Sequence, residues 1–101
     1  MATLSTHVLD TATGSPAAGV AVRLESRDGD VLDSGFTDDD GRVGSLGGAL
    51  GLGGYVLRFD TGAYVNGFFP EVVIVFTVAD DRHHHVPLLL SPYGYATYRG
   101  S

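Results

Sequence analysis

Val72-Val73-Ile74-Val75-Phe76-Thr77-Val78, the turn Ala79-Asp80-Asp81-Arg82, and His83-His84-His85-Val86-Pro87-Leu88-Leu89-Leu90 together decide the fold class. The two flanking runs, Glu71 to Val78 and His83 to Leu90, are rich in β-branched and other apolar residues. A polar turn joins them, so they read as a pair of strands. Side chains alternate across a strand. Val72, Ile74, Phe76 and Val78 then share one face, with Val73 and Val75 on the other. In the second run Val86, Leu88 and Leu90 oppose Pro87 and Leu89. Both strands are apolar on two faces. A two-layer sandwich covers one face of each sheet. The uncovered face calls for a partner, and a homo-oligomer built on these strands is expected.

The rest of the chain repeats the β pattern. Leu4 to Asp10 reads as a first strand, and Thr11 to Gly19, with Gly14, Ser15, Pro16 and Gly19, as a loop. Val20, Val22 and Leu24 alternate with Ala21, Arg23 and Glu25, the pattern of a half-buried strand. The Asp28-Gly29 pair marks a hairpin turn into Val31 to Thr37. Asp38-Asp39-Asp40-Gly41 closes that strand. Arg42 to Leu46 is a short strand, Gly47 to Gly54 a glycine-rich loop, and Tyr55 to Asp60 another strand. Thr61 to Pro70 has room for at most one short helical turn. A last strand is expected near Ala96 to Arg99. No stretch has a sustained helical period, and regularly spaced short strands predict an all-β sandwich or barrel.

The chain has 101 residues, which predicts a single domain over 1–101. The longest apolar stretch, Val72 to Ala79, is far short of the roughly 20 residues of a membrane helix. The N-terminal residues lack the pattern of a signal peptide, so a cytoplasmic protein with no membrane partner is expected. The net charge of −6 disfavours nucleic acid as a partner. There is no Cys and no Lys, which removes thiolate and Schiff-base chemistry. His, Arg, Asp, Glu, Tyr, Ser and Thr remain.

Among these, His83 and His85 share a strand face with Pro87 and Leu89, while His84 points to the other. Two histidines so placed could ligate a metal or act as a base. A solvated strand start explains them equally well, and no third ligand stands at a fixed spacing. His7 alone in its strand reads first as a structural histidine. Arg42 after the acidic turn reads first as half of a surface ion pair. Asp38 to Asp40 lack the ligand pattern of a calcium loop. The tail around Tyr95 to Tyr98 suits either an interface or a site.

The end of the chain, His83 through Leu90, then Ser91-Pro92-Tyr93-Gly94-Tyr95-Ala96-Thr97-Tyr98-Arg99-Gly100-Ser101, resembles the C-terminus of the 5-hydroxyisourate hydrolases. These are the transthyretin-related enzymes of urate breakdown. His7-Val8-Leu9-Asp10, Gly14-Ser15-Pro16-Ala17, Asp40-Gly41-Arg42 and Phe68-Phe69-Pro70-Glu71-Val72 agree in the same order. The resemblance spans nearly the whole chain. It implies a transthyretin-like Greek-key sandwich of two four-stranded sheets and a homotetramer, a dimer of dimers. It implies that His7, Arg42 and His85 are catalytic, that His7, Arg42, Tyr98 and Ser101 bind substrate, and that no metal or organic cofactor takes part. It also implies that His84 faces away from the site. The connection Thr61 to Gly67 is shorter than the family usually carries. Two other functions compete. One is a transthyretin-like small-ligand carrier without catalysis. The other is a metal-binding structural protein using His83 to His85.

Overall fold

A computed structural model describes residues 1–100. Its elements, in chain order, are β1 (Thr3–Asp10), β2 (Ser15–Pro16), β3 (Ala21–Ser26), β4 (Val31–Phe36), β5 (Arg42–Val43), β6 (Gly53–Phe59), α1 (Thr61–Tyr64), β7 (Val72–Val78), β8 (His83–Ser91) and β9 (Gly94–Thr97). One sheet has the order β2-β1-β8-β9, with β5 also paired to β1. The other has the order β4-β3-β6-β7. The short strands β2 and β5 occupy successive lengths of one edge of β1, at Leu9–Asp10 and Thr6–His7. Each layer is therefore four strand positions wide, as expected, with one position split in two. No helix among the described residues is long and apolar enough to cross a membrane.

The core follows the alternation in the sequence. Leu4 and Val8 of β1, Val22 and Leu24 of β3, Leu57 and Phe59 of β6, and Leu88 and Leu90 of β8 are all at most 2% exposed. Val72, Ile74 and Val78 of β7 join them, while Val73 and Val75 lie exposed on the outer face. Burying a Leu or Phe side chain contributes roughly 1.5–3 kcal/mol. A one-residue slip of any strand would expose its whole apolar set, which fixes the register.

The outer face of the β4-β3-β6-β7 sheet carries a charged ladder. Glu25 is buried there and accepts hydrogen bonds from Arg23 at 2.8 Å and Arg58 at 3.0 Å. Arg58 also pairs with Glu71 at 2.5 Å. The Arg58 hydrogen bond is the main reason the Glu25 carboxyl lies below the usual carboxylate range.

Four elements differ from the sequence expectation by two residues or more. Gly53 and Gly54 belong to β6, not to a loop, because β7 extends far enough to pair them with Val78 and Thr77. The expected strand Arg42 to Leu46 keeps ladder register with β1 only at Arg42 and Val43; Leu46 still donates its amide to the Leu4 carbonyl at 3.0 Å, and its side chain is buried. Ser15 and Pro16, inside the expected loop, pair with the end of β1. The last strand begins at Gly94 and ends at Thr97, because Ser91 and Gly94 close a tight turn in which Ser91 Oγ donates to the Gly94 carbonyl.

The Thr61 to Pro70 connection holds one helical turn, α1, as expected. The Asp60 side chain caps it by accepting from Ala63 N at 3.3 Å. Tyr64 donates from its hydroxyl to Asp10 Oδ2 at 2.9 Å, and Asp10 Oδ1 accepts from the amides of Ala12 and Thr13. That one carboxylate ties α1 to the end of β1.

Candidate active site

The parallel pairing of β1 with β8 builds the site. Thr3 stands opposite His83, Ser5 opposite His85, and His7 opposite Pro87. Thr3, Ser5 and His7 therefore share the outer sheet face with His83 and His85. On the other edge of β1, His7 pairs with Arg42.

The acidic turn sets Arg42 in place. Asp38 Oδ1 accepts from the backbone amides of Asp40 and Arg42, both at 2.9 Å. The carboxylate serves the turn, so the expected surface ion pair with Arg42 is not what this turn makes. Gly41 adopts φ 75°, and a Cβ there would collide with the Val8 carbonyl oxygen. Only glycine lets the turn come this close to β1, where Val8 N donates to the Gly41 carbonyl at 2.7 Å. Arg42 then lies exposed beside His7.

Hydrogen bonding assigns the histidine protons. His7 Nε2 lies 2.8 Å from the Asp40 carbonyl oxygen. A carbonyl only accepts, so Nε2 carries the proton and Nδ1 of neutral His7 is the free base. His85 Nδ1 lies 2.7 Å from Ser5 Oγ. Ser5 Oγ is also 2.7 Å from His83 Nε2, and His83 Nδ1 is 2.6 Å from Thr3 Oγ1. His85 is held below the ordinary histidine value of 6.5, first by burial and then by the positive charges of Arg42, His7 and His83.

The C-terminal tail lies over His85. Gly100 N donates to the His85 carbonyl at 2.8 Å. A Cβ on Gly100 would sit 2.6 Å from His85 Cδ2. Tyr98 is 56% exposed and, with His85, Thr97 and Arg99, borders a cavity of about 260 Å³ that also reaches the inward-facing Ile74, Phe76 and His84 and includes neither His7 nor Arg42. Another cavity, of about 350 Å³, lies against the charged ladder of the opposite sheet and contains no histidine. A third, lined by Arg82, His83, Arg99 and Gly100, lies beside the tail. Arg99 reaches toward Asp80 at 3.9 Å.

His84 faces the interior, away from His83 and His85, and is 4% exposed. Its Nδ1 donates to the Arg82 carbonyl at 2.8 Å, which leaves Nε2 buried without a hydrogen bond and 3.6 Å from Asp80. No group of three or more His, Cys, Asp or Glu side chains among the described residues is arranged to hold a metal ion.

Of the residues expected at the site, His7, Arg42 and His85 share one sheet face and Tyr98 lines the cavity beside His85. Ser101 lies outside the described residues. Sequence reasoning missed Thr3 and Ser5. Their spacing of two before His7 was a signal, but it acquires meaning only through the β1–β8 register.

A profile described as the HIUase/Transthyretin family matches residues 4–100. The chain is 48% identical to a 5-hydroxyisourate hydrolase of Caulobacter vibrioides, covering 100% of both chains. That alignment runs over 115 positions, more than the 101 residues present, so this chain carries deletions relative to it. The structure of Klebsiella pneumoniae 5-hydroxyisourate hydrolase superposes with a TM-score of 0.93 at 43% identity, covering 100% of each chain. Transthyretin from Sparus aurata superposes with a TM-score of 0.87 at 30% identity, covering 96% of this chain and 95% of that one. The chain belongs to the HIUase/Transthyretin family.

Proposed function

We propose that this protein hydrolyses 5-hydroxyisourate, opening the six-membered ring to 2-oxo-4-hydroxy-4-carboxy-5-ureidoimidazoline in urate degradation. Full-length likeness to hydrolases at 43–48% identity, against 30% for the fish transthyretin, favours the enzyme over the carrier. The observation that carries the mechanism is the grouping of His7, Arg42 and His85 on one sheet face, set by the β1–β5 and β1–β8 registers.

Water is a weak nucleophile at neutral pH and needs a base. His85 serves as that base: its lowered pKa keeps it neutral, and its Nδ1 bond to Ser5 leaves Nε2 for the water. As the oxygen attacks the ring carbonyl, negative charge grows on the carbonyl oxygen. Arg42, whose guanidinium is free of the acidic turn, stabilises that charge. His7 binds through its free Nδ1. Tyr98 contributes a flat surface and a hydroxyl to the planar substrate, and the family resemblance adds Ser101 as a substrate-binding residue. The net reaction is hydrolysis without change of oxidation state and calls for no metal or organic cofactor.

The working unit in this reading is a cytoplasmic homotetramer, a dimer of dimers, formed from a single domain over 1–101. Exposed Val73, Val75 and Tyr98 supply apolar surface for the contacts between copies. Light scattering at micromolar concentration is expected to give four chains. Freshly generated 5-hydroxyisourate, followed by its ultraviolet absorbance, tests the activity. Decay well above the spontaneous rate is expected; decay at the spontaneous rate would return the protein to the carrier reading.

A further inference from the structure

We propose that Ser5 and His83 form a proton relay behind His85, taking up the proton that water loses and returning it to the leaving nitrogen. The inference rests on His85 as the base. It concerns residues on the side of the imidazole away from the reacting water.

The geometry, taken with a free Nε2 on His85, selects one set of protons. Ser5 Oγ is 2.7 Å from His85 Nδ1 and 2.7 Å from His83 Nε2. A hydroxyl has a single proton, so it cannot donate to both; with both bonds made, one imidazole must donate to it. With His85 neutral and Nε2 free for water, His85 Nδ1–H donates to Ser5, and Ser5 O–H donates to His83 Nε2. His83 then carries its own proton on Nδ1 and donates to Thr3 Oγ1 at 2.6 Å. Each neutral imidazole holds one proton, and every bond in the chain points the same way.

The step balances. Water gives one proton to His85 Nε2 as its oxygen bonds to the ring carbonyl carbon. His85 Nδ1 passes its proton to Ser5 Oγ, and the Ser5 proton moves to His83 Nε2. His85 and Ser5 end neutral, and His83 ends as the imidazolium. When the carbon–nitrogen bond of the ring breaks, the chain runs backward and His85 Nε2 delivers a proton to the departing nitrogen.

The benefit is electrostatic. A proton left on His85 would create a cation in a half-buried position beside Arg42 and His7. Moved to His83, the charge lies at an exposed position, where water solvates it. The pairing of Thr3 with His83 and Ser5 with His85 keeps the chain aligned along two adjacent strands. Ser5 and His83 act through His85 and need not touch substrate.

The test compares two mutually isosteric replacements of Ser5 in the protein. Ser5→Thr keeps the hydroxyl and adds a methyl, and Ser5→Val has the shape of that variant without the hydroxyl. Ser5→Thr is expected to retain turnover within about threefold, while Ser5→Val loses roughly ten- to a hundred-fold in kcat with little change in KM. His83→Ala is expected to lose a similar factor and to regain turnover as imidazole is added. Imidazole should do nothing for Ser5→Val, and the double variant should be no slower than the worse single one. Wild-type turnover in folded Ser5→Val or His83→Ala would overturn the relay and leave the hydrolase reading intact. Losses that multiply in the double variant would also overturn it. An inactive wild-type protein would instead overturn the hydrolase reading itself.

Discussion

Gly100 lies so close to His85 that no other residue fits between tail and imidazole. Its amide donates to the His85 carbonyl at 2.8 Å, and a Cβ in its place would approach His85 Cδ2 to 2.6 Å. The imidazole cannot swing aside freely, because its Nδ1 is bonded to Ser5. The small residue in the tail is thus a packing requirement of the site. Gly100→Ala should displace the ring, lengthen its bond to Ser5 and cut kcat roughly tenfold or more, since misplacing a catalytic group by a fraction of its reach is costly. The melting temperature should barely move, because the bridge sits at a chain end. Unchanged turnover in the ultraviolet assay would show that the ring tolerates the shift.

Charge next to His85 sets the acid side of the activity profile. Burial lowers its pKa most, and Arg42 follows. Protonated His85 cannot accept a proton from water, so kcat/KM should fall as pH drops through a value below 6.5. Arg42→Met removes one cause of the depression. The limb should move upward but stay below 6.5, because burial remains, and turnover should fall by orders of magnitude. A limb in the same place in both proteins would exclude His85 as the titrating base.

The ladder on the opposite sheet affects stability and not chemistry. Glu25 is buried with Arg58 as its chief partner. Arg58→Met leaves a buried carboxylate with one cation fewer, so the melting temperature at pH 7 should drop. The pKa of Glu25 is depressed in the folded protein, so its stabilising contribution is full above the unfolded value of 4.5 and is lost as pH falls through the folded value. The gap between wild type and variant should therefore narrow on acidification below about pH 4.5. A gap independent of pH would assign the loss to packing of the Arg58 stem.

His84 is a core residue, with its Nδ1–H committed to the Arg82 carbonyl. His84→Leu removes that donor and the hydrogen bond to the Arg82 carbonyl, at a cost of about 0.5–1.5 kcal/mol by chemical denaturation. kcat should change little, because His84 points to the sheet face opposite His85. A large loss of kcat at unchanged stability would contradict this placement.

The all-β class, the strand-forming runs and the two-faced apolar character of β7 and β8 were legible along the chain, because they depend on alternation over a few neighbouring residues. The single turn of α1 and the turn before Arg42 were legible for the same reason. The family resemblance, spread over nearly the whole chain, marked His7, Arg42, His85, Tyr98 and Ser101 before any geometry was known. What spacing could not supply was which strands lie side by side. Ser5 and His85 are separated by 80 residues, and only the parallel β1–β8 register brings them within 2.7 Å. The same holds for Gly53 and Gly54, which are strand only because β7 is long enough to pair them. Local alternation follows from the chain's own stereochemistry and can be read residue by residue. Pairing between distant strands is a property of the packed core, and here it is the pairing that turns an ordinary serine into the neighbour of two histidines.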